Sequence, residues 1–232
     1  EEEGLIVRTK YLDDELLSTP SLALDRVRLE ILHMGETVDE MLKAIMPAII
    51  KGNRENLTKI ARMDDQVDIL HAQIISYLGK ISKQTLTDTQ TKEVLLLMVA
   101  AGDLVNIGDI IETNLVVLGE QRIDAGVAVS EPTQEVLNGF QKAISSAVDN
   151  AVQAVSQRNE LAAQSVISMK NEIARLADSA AVHEARRLVA EEPNRIPAYT
   201  IEMDIIEKQK RIYYFAKRMA KTVMPETVKQ EA

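Results

Sequence analysis

The sequence predicts an all-α fold of two consecutive, antiparallel three-helix bundles. Aromatic residues account for only 3% of the 232 residues, with nine Gly and six Pro, and the residues that dominate lose little side-chain entropy in helices. Apolar residues recur at helical spacing in six long stretches. The halves also repeat weakly, because Asn53 and Asn159 open corresponding helices 106 residues apart and apolar positions coincide at that offset.

The first half predicts an arm followed by three helices. Residues 1–18 show no sustained period and are expected to form a linker or extended arm. Residues 19–121 then form the first three-helix repeat. Its first helix starts after Thr19, where Pro20 suits the first turn, and ends near Gly52.

Capping residues mark the next two helices of this repeat. Asn53 caps the second helix, which extends to Ile81. The third helix runs from about Asp88 to Leu118, and Gly119 predicts its C-terminal stop.

The second repeat is expected at residues 130–224. Its first helix follows Pro132, and the next begins after Asn159 and ends near Ala190. A last helix completes the bundle, and residues 225–232 form a polar tail.

Net charge and cysteine content exclude several classes of function. The chain carries 27 Lys and Arg against 36 Asp and Glu, a net charge of −9, and no Cys. Such an acidic surface repels nucleic acid, so no nucleic-acid partner is expected. Without Cys there is no disulfide or zinc–thiolate site, and the composition suits the cytoplasm. No uninterrupted apolar run approaches the roughly 20 residues of a membrane span, so we expect a soluble chain.

The sequence offers no catalytic motif, and we expect no enzymatic activity. The three histidines lie on different predicted helices, and no Gly-rich phosphate loop follows a strand. Glu30 and His33 stand at i, i+3 spacing, as in di-iron bundles, but no second Glu-x-x-His follows. Both point away from the apolar stripe through Ile31 and Met34, so the sequence predicts that they are solvated.

An acidic pair on the second helix is the first candidate for a metal site. Asp64 and Asp68 stand at i, i+4 on one face, and Asp64 falls where the apolar stripe would otherwise continue. Two such carboxylates repel each other, and a bound divalent cation or iron would relieve the repulsion. Alternatively, both lie at the edge of the stripe, solvated or paired, for example with Arg62.

The third helix adds Asp103 and Asp109 to an otherwise apolar stretch. In one interpretation, antiparallel packing brings the middles of the two helices together, so that Asp109 faces Asp64 and Asp68, with Asp103 as a further candidate ligand. In the other, Gly108 marks a tight packing point and Asp109 is a hydrogen-bonded or half-exposed carboxylate.

The second half offers no matching acidic pair. At the offset of 106, Asp64 corresponds to Lys170 and Asp68 to Ala174, and residues 210–214 of the last helix are basic and aromatic. We therefore expect at most a single site, for a divalent metal or iron, in the first half.

These motifs resemble those of PhoU proteins, which consist of two tandem three-helix bundles. PhoU proteins carry an acidic pair on the second helix and a Leu-Glu-Arg-Ile-Gly-Asp segment on the third. Here Asp64-x-x-x-Asp68 and Leu104-Val105-Asn106-Ile107-Gly108-Asp109 stand at those places. Further segments resemble the PhoU-like domain fused to bacterial Na+/phosphate cotransporters: Lys10-Tyr11-Leu12-Asp13, Ile81-Ser82-Lys83-Gln84 and Lys210-Arg211-Ile212-Tyr213-Tyr214.

The resemblance implies a non-catalytic, cytoplasmic regulatory domain of a sodium-dependent phosphate transporter of the inner membrane. The partner would be the transmembrane part of the same polypeptide, in keeping with a chain that opens with Glu1 rather than an initiator Met. A second copy of the chain is another candidate partner. The alternatives are a free-standing PhoU-type regulator of phosphate signalling and a metal-binding helical-bundle protein. Because Val105 replaces the family's glutamate, the multinuclear metal clusters of some PhoU proteins are not expected, and these residues form no evident phosphate pocket.

Overall fold

Six long helices make up the computed structural model, which describes residues 7–189 and 193–225. A short 3-10 helix, Asp14–Ser18, precedes them, and the described residues contain no β-strand. The predicted all-α fold of six helices is therefore confirmed. The helices are α1 (Pro20–Lys51), α2 (Arg54–Ile81), α3 (Asp88–Asp124), α4 (Glu131–Gln157), α5 (two segments, Glu160–Ser168 and Lys170–Leu188) and α6 (Arg195–Val223).

Local signals explain several helix boundaries. Gly52 ends α1 in the left-handed conformation, with φ of 66°, which only glycine adopts without cost. Asn53 then caps α2, its side-chain oxygen accepting a hydrogen bond from the backbone N–H of Asn56 at 3.0 Å. Asn159 caps α5 in the same way, accepting from the backbone N–H of Ala162 at 3.0 Å.

The predicted end of the third helix is wrong, because α3 continues through Gly119 to Asp124. Gly119 serves packing rather than termination. A Cβ atom at this position would lie 3.0 Å from side-chain atoms of Ile49 and Leu57. The glycine therefore lets the end of α3 pack closely against α1 and α2.

The two bundles share one continuous hydrophobic core. Helices α1 to α3 form the first bundle and α4 to α6 the second, and α1 packs on α4 while α3 packs on α6. By length and composition α3 could cross a membrane, with a mean hydropathy of 2.0 in its most apolar window. Other helices bury 56% of that window, as is usual for a core helix.

The described part of the N-terminal arm is docked on the first bundle, through Glu30 of α1. Backbone N–H groups of Lys10 and Tyr11 donate to one Glu30 carboxylate oxygen at 3.0 and 2.7 Å, and His33 Nδ1 lies 2.7 Å from the other oxygen. Glu30 and His33 are buried, so the prediction that both are solvated is wrong. The arm covers the face of α1 that the apolar stripe leaves free. Residues 1–6 of the arm and most of the predicted tail, residues 226–232, lie outside the described residues.

Candidate metal site

Three carboxylates from two helices converge in the first bundle. Asp64 lies near the middle of α2, and Asp109 and Glu112 lie on α3, which packs against α2. Each offers an oxygen, and the three oxygens lie within 4.8 Å of one another. Asp64 is only 4% exposed, and the other two are half-buried. Within residues 7–189 and 193–225, no other group of three potential metal ligands lies this close together.

Gly108 makes room for the Asp64 carboxylate. A Cβ atom at position 108 would lie well under 3.0 Å from Asp64 Oδ1, a separation that real Cβ atoms essentially never show. Because Gly108 has no side chain, α2 can bring a buried carboxylate directly against the backbone of α3. The two interpretations of this segment are therefore compatible: Gly108 is a tight packing point, and Asp109 lies beside Asp64.

A local change of helical pitch accompanies the third carboxylate. Directly after Asp109, α3 widens into a π-helix at Ile110–Leu115, and Glu112 lies in this segment. A π-helical turn holds more residues than an α-helical turn, so it changes the direction in which the side chains point. Such turns occur frequently at functional sites.

Burial and mutual repulsion shift the pKa values of these carboxyl groups upward. Burial raises the pKa of Asp64 to about 7, and the charges of Asp68 and Asp109 contribute to the rise. Burial likewise raises the pKa of Asp109 and of Glu112, and the charge of Asp68 acts in the same direction on both. The cluster therefore concentrates negative charge that a cation would stabilise.

The donor set fits a single hard cation. Asp64 Oδ1 is buried and accepts no hydrogen bond, although buried polar atoms in proteins are nearly always paired. Leaving such an atom unpaired costs about 1–3 kcal/mol. A cation held by Asp64, Asp109 and Glu112 would satisfy it. Carboxylate oxygens are preferred ligands of Mg²⁺, Ca²⁺ and Mn²⁺, and they also bind iron.

The structure brings two of the four predicted ligands, Asp64 and Asp109, into the cluster. Asp68 is exposed and lies outside the group of three, although its charge acts on both. Asp103 lies elsewhere and is fully buried. Its carboxylate accepts hydrogen bonds from Arg218 Nε of α6 at 2.7 and 2.9 Å, so Asp103 joins the two bundles.

Glu112 is not among the residues predicted from the sequence. A signal was present, because Glu112 stands at i, i+3 from Asp109 and therefore on the same helix face. In the second bundle, Lys170 and Ala174 occupy the positions that correspond to Asp64 and Asp68.

Comparison with known proteins shows what this part of the chain is similar to. Residues 31–114 match the family described as PhoU domain, and this range includes all three clustered carboxylates. This match covers 84 of the 232 residues. The predicted resemblance to the PhoU superfamily is therefore confirmed.

The curated relatives of this chain are longer proteins with a name that refers to phosphate. Over 125 residues the chain is 26% identical to "Putative inorganic phosphate export protein YjbB" of Salmonella typhimurium, a match that covers 54% of this chain and 23% of that protein. The protein of the same name from Escherichia coli strain K12 is 24% identical over 106 residues, covering 46% and 19%. The matched part of the chain thus spans less than a quarter of these relatives.

Solved PhoU structures share the fold over nearly the whole chain. PhoU from Pseudomonas aeruginosa superposes with a TM-score of 0.78 at 19% identity, covering 86% of this chain and 94% of that one. The phosphate transport system regulatory protein PhoU from Streptococcus pneumoniae gives 0.76 at 16% identity, covering 88% and 95%. The PhoU fold therefore extends into the second bundle, outside the family match.

Proposed function

We propose that this chain is a non-catalytic regulatory domain of phosphate transport that binds one divalent cation in its first bundle. The observation that carries the proposal is the buried Asp64 carboxylate, which has an unpaired Oδ1 and an oxygen within 4.8 Å of oxygens from Asp109 and Glu112. The names of the curated relatives support the link to phosphate, and the Streptococcus pneumoniae PhoU with the same fold is named a regulatory protein of a phosphate transport system.

Metal analysis of the purified chain tests the cation site. After incubation with Mn²⁺ and desalting, wild type should retain about one metal ion per chain, and Asp64→Asn should retain little, because one anionic ligand is lost. Asp65→Asn is the matched control, since Asp65 is exposed and lies outside the cluster. It removes the same charge from the next position of α2.

Equal metal content in all three proteins, or none in wild type, would contradict the site. Circular dichroism and urea unfolding of each variant distinguish loss of a ligand from loss of the fold, because Asn at position 64 retains the shape of Asp.

We further propose that the domain acts from the cytoplasm as part of a longer, sodium-dependent phosphate transporter. The resemblance to domains of Na+/phosphate cotransporters and the greater length of the curated relatives support this assignment. A free-standing PhoU-type regulator is the alternative, and it is favoured by the 94% and 95% coverage of two PhoU chains. The curated relatives are named as export proteins, so the direction of phosphate transport is measured in the same experiment.

Flux measurements separate these possibilities. Radiolabelled phosphate uptake and efflux are measured in cells that express the whole protein, with and without residues 1–232, in sodium and in potassium buffer. A regulatory domain changes the flux when it is deleted, and a sodium-coupled transporter loses flux in potassium. Unchanged flux after deletion would refute the regulatory role. A reading frame that contains no membrane segment would instead support the free-standing alternative.

A further inference from the structure

A pocket lies at one end of the seam between the two bundles. It is bounded by the N-terminal parts of α1, α3 and α5 and by the C-terminal ends of α4 and α6, and its volume is about 440 Å³. Pockets that bind small molecules are typically about 300–1,000 Å³ and lie at interfaces between structural units. Both the size and the position therefore suit a small ligand.

Two guanidinium groups, one buried and one exposed, meet at this pocket. Arg28 of α1 is 7% exposed, and Arg158 follows the last residue of α4. The Nη2 atoms of both arginines donate to the same oxygen of Glu93, with that of Arg158 at 2.8 Å. Arg158 Nη2 also donates to Asp25 Oδ1 at 3.2 Å, and the lining adds the positive charge of Lys92 and the negative charge of Glu160.

One nitrogen of Arg28 is left for a further acceptor. Nη1 is buried without a hydrogen-bond partner, and the nearest carboxylate oxygen is that of the exposed Asp25, at 3.5 Å. Burial lowers the pKa of Arg28, and repulsion from Arg158 contributes to the shift. An anion beside Nη1 would stabilise the charged form of both arginines.

The backbone at Arg158 is also unusual. Arg158 adopts the left-handed conformation, with φ of 52°, at the C-terminus of α4. Gly or Asn adopts this conformation with less strain than Arg. Arg158 therefore costs more conformational free energy at this helix end than Gly or Asn would. Its side chain lines the pocket.

One wall of the pocket is apolar, while Thr89, Glu160 and Thr222 also contribute to the lining. Leu96, Leu97, Val155, Val223 and Met224 contribute to the apolar wall, from α3, α4 and the end of α6. A phosphomonoester combines a phosphate that carries close to two negative charges at pH 7 with a body that can pack on such a wall. Its oxygens also match the fork geometry of guanidinium groups.

We infer that this pocket binds a small phosphomonoester, with its phosphate held by Arg28 and Arg158 and its organic group packed on the apolar wall. The ligand bridges the bundles, because Arg28 belongs to the first and Arg158 to the second. The pocket shares no residue with the carboxylate cluster, so the assignment stands or falls independently of the proposed cation site.

Calorimetric titration of the whole chain with AMP tests the assignment, with adenosine and inorganic phosphate as separate arms. AMP binds to wild type, while adenosine lacks the phosphate and inorganic phosphate lacks the apolar body, so both bind more weakly. Arg158→Asn weakens AMP binding by at least about tenfold, since a charged hydrogen bond is lost. Asn tolerates the left-handed backbone, so this variant folds, which urea unfolding verifies.

Arg211→Gln is the control, because Arg211 is an exposed residue of α6 that does not line the pocket. It leaves AMP affinity unchanged. Absence of AMP binding in wild type, or equal affinity in Arg158→Asn, overturns the proposal. Inorganic phosphate that binds as tightly as AMP overturns the assignment of an ester.

Discussion

Replacing Gly108 by Ala tests directly how the Asp64 carboxylate is accommodated. Two terms oppose each other in the free energy of unfolding. Ala gains about 1 kcal/mol of helix propensity over Gly. The new Cβ lies well under 3.0 Å from Asp64 Oδ1, and such overpacking costs about 1–3 kcal/mol. The expected net result is a loss of about 0–2 kcal/mol in stability.

The larger effect is expected on cation affinity. The methyl group displaces Asp64 Oδ1 and with it the whole carboxylate, so the Asp64 oxygen of the cluster leaves its position beside Asp109 and Glu112. Mn²⁺ affinity, measured by calorimetric titration, should fall at least about tenfold, which corresponds to about 1.4 kcal/mol.

Gly102→Ala is the matched control on the same helix. A Cβ atom at Gly102 meets nothing within 4 Å. This variant should therefore gain about 1 kcal/mol of stability in urea unfolding and keep the wild-type affinity for Mn²⁺. If Gly108→Ala also gained stability and bound Mn²⁺ as wild type does, the close approach of Asp64 to α3 would have no role in the site.

Three further predictions concern protons and the N-terminal arm. Burial raises the pKa of Asp64 to about 7, and only the deprotonated carboxylate binds a cation. Mn²⁺ affinity should therefore fall up to about tenfold per pH unit below pH 7. An affinity that does not change with pH would count against Asp64 as a ligand. Burial and the neighbouring Glu184 raise the pKa of Glu202 from 4.5 to about 8. Between pH 4.5 and about 8 the unfolded chain has released the Glu202 proton and the folded chain still holds it. The free energy of unfolding should therefore fall as the pH rises through this range, by at most about 1.4 kcal/mol per pH unit. Urea unfolding of Glu202→Gln should lack this pH dependence, and a pH profile equal to that of wild type would contradict the prediction. Glu30→Ala removes the acceptor of the Lys10 and Tyr11 amides and should cost about 2–4 kcal/mol in urea unfolding, with faster proteolysis of residues 7–18; wild-type protection would show that the arm is held by other contacts.

Features that depend on neighbours in the sequence could be predicted. Asn53 and Asn159 cap their helices as expected, since the side-chain acceptor and the backbone donor are three residues apart. The pair of three-helix bundles follows from the apolar stripes in the same way. Asp64 could be suspected because a carboxylate interrupts such a stripe.

Features that depend on segments distant in the sequence could not be predicted. Gly119 has the residue type of a helix terminus, but Ile49 and Leu57 lie close to it only after folding. Glu30 lies on a face that a helical wheel assigns to solvent, and the arm that covers it is 20 residues earlier in the chain. The π-helix at Ile110–Leu115 has no signature in the apolar pattern, which is why Glu112 was missed.

The contrast between Asp64 and Asp103 gives the strongest argument for a cation. Both are aspartates in the middle of long helices, both are buried, and burial raises the pKa of each. For Asp103 the fold supplies a guanidinium, because Arg218 of the second bundle donates to its carboxylate and acts to lower that pKa. Asp64 Oδ1 accepts no hydrogen bond, and the charges of Asp68 and Asp109 raise the pKa of Asp64 further. The fold thus neutralises Asp103 with an arginine and places negative charge around Asp64. A metal ion at Asp64 would supply the positive charge that this buried carboxylate lacks.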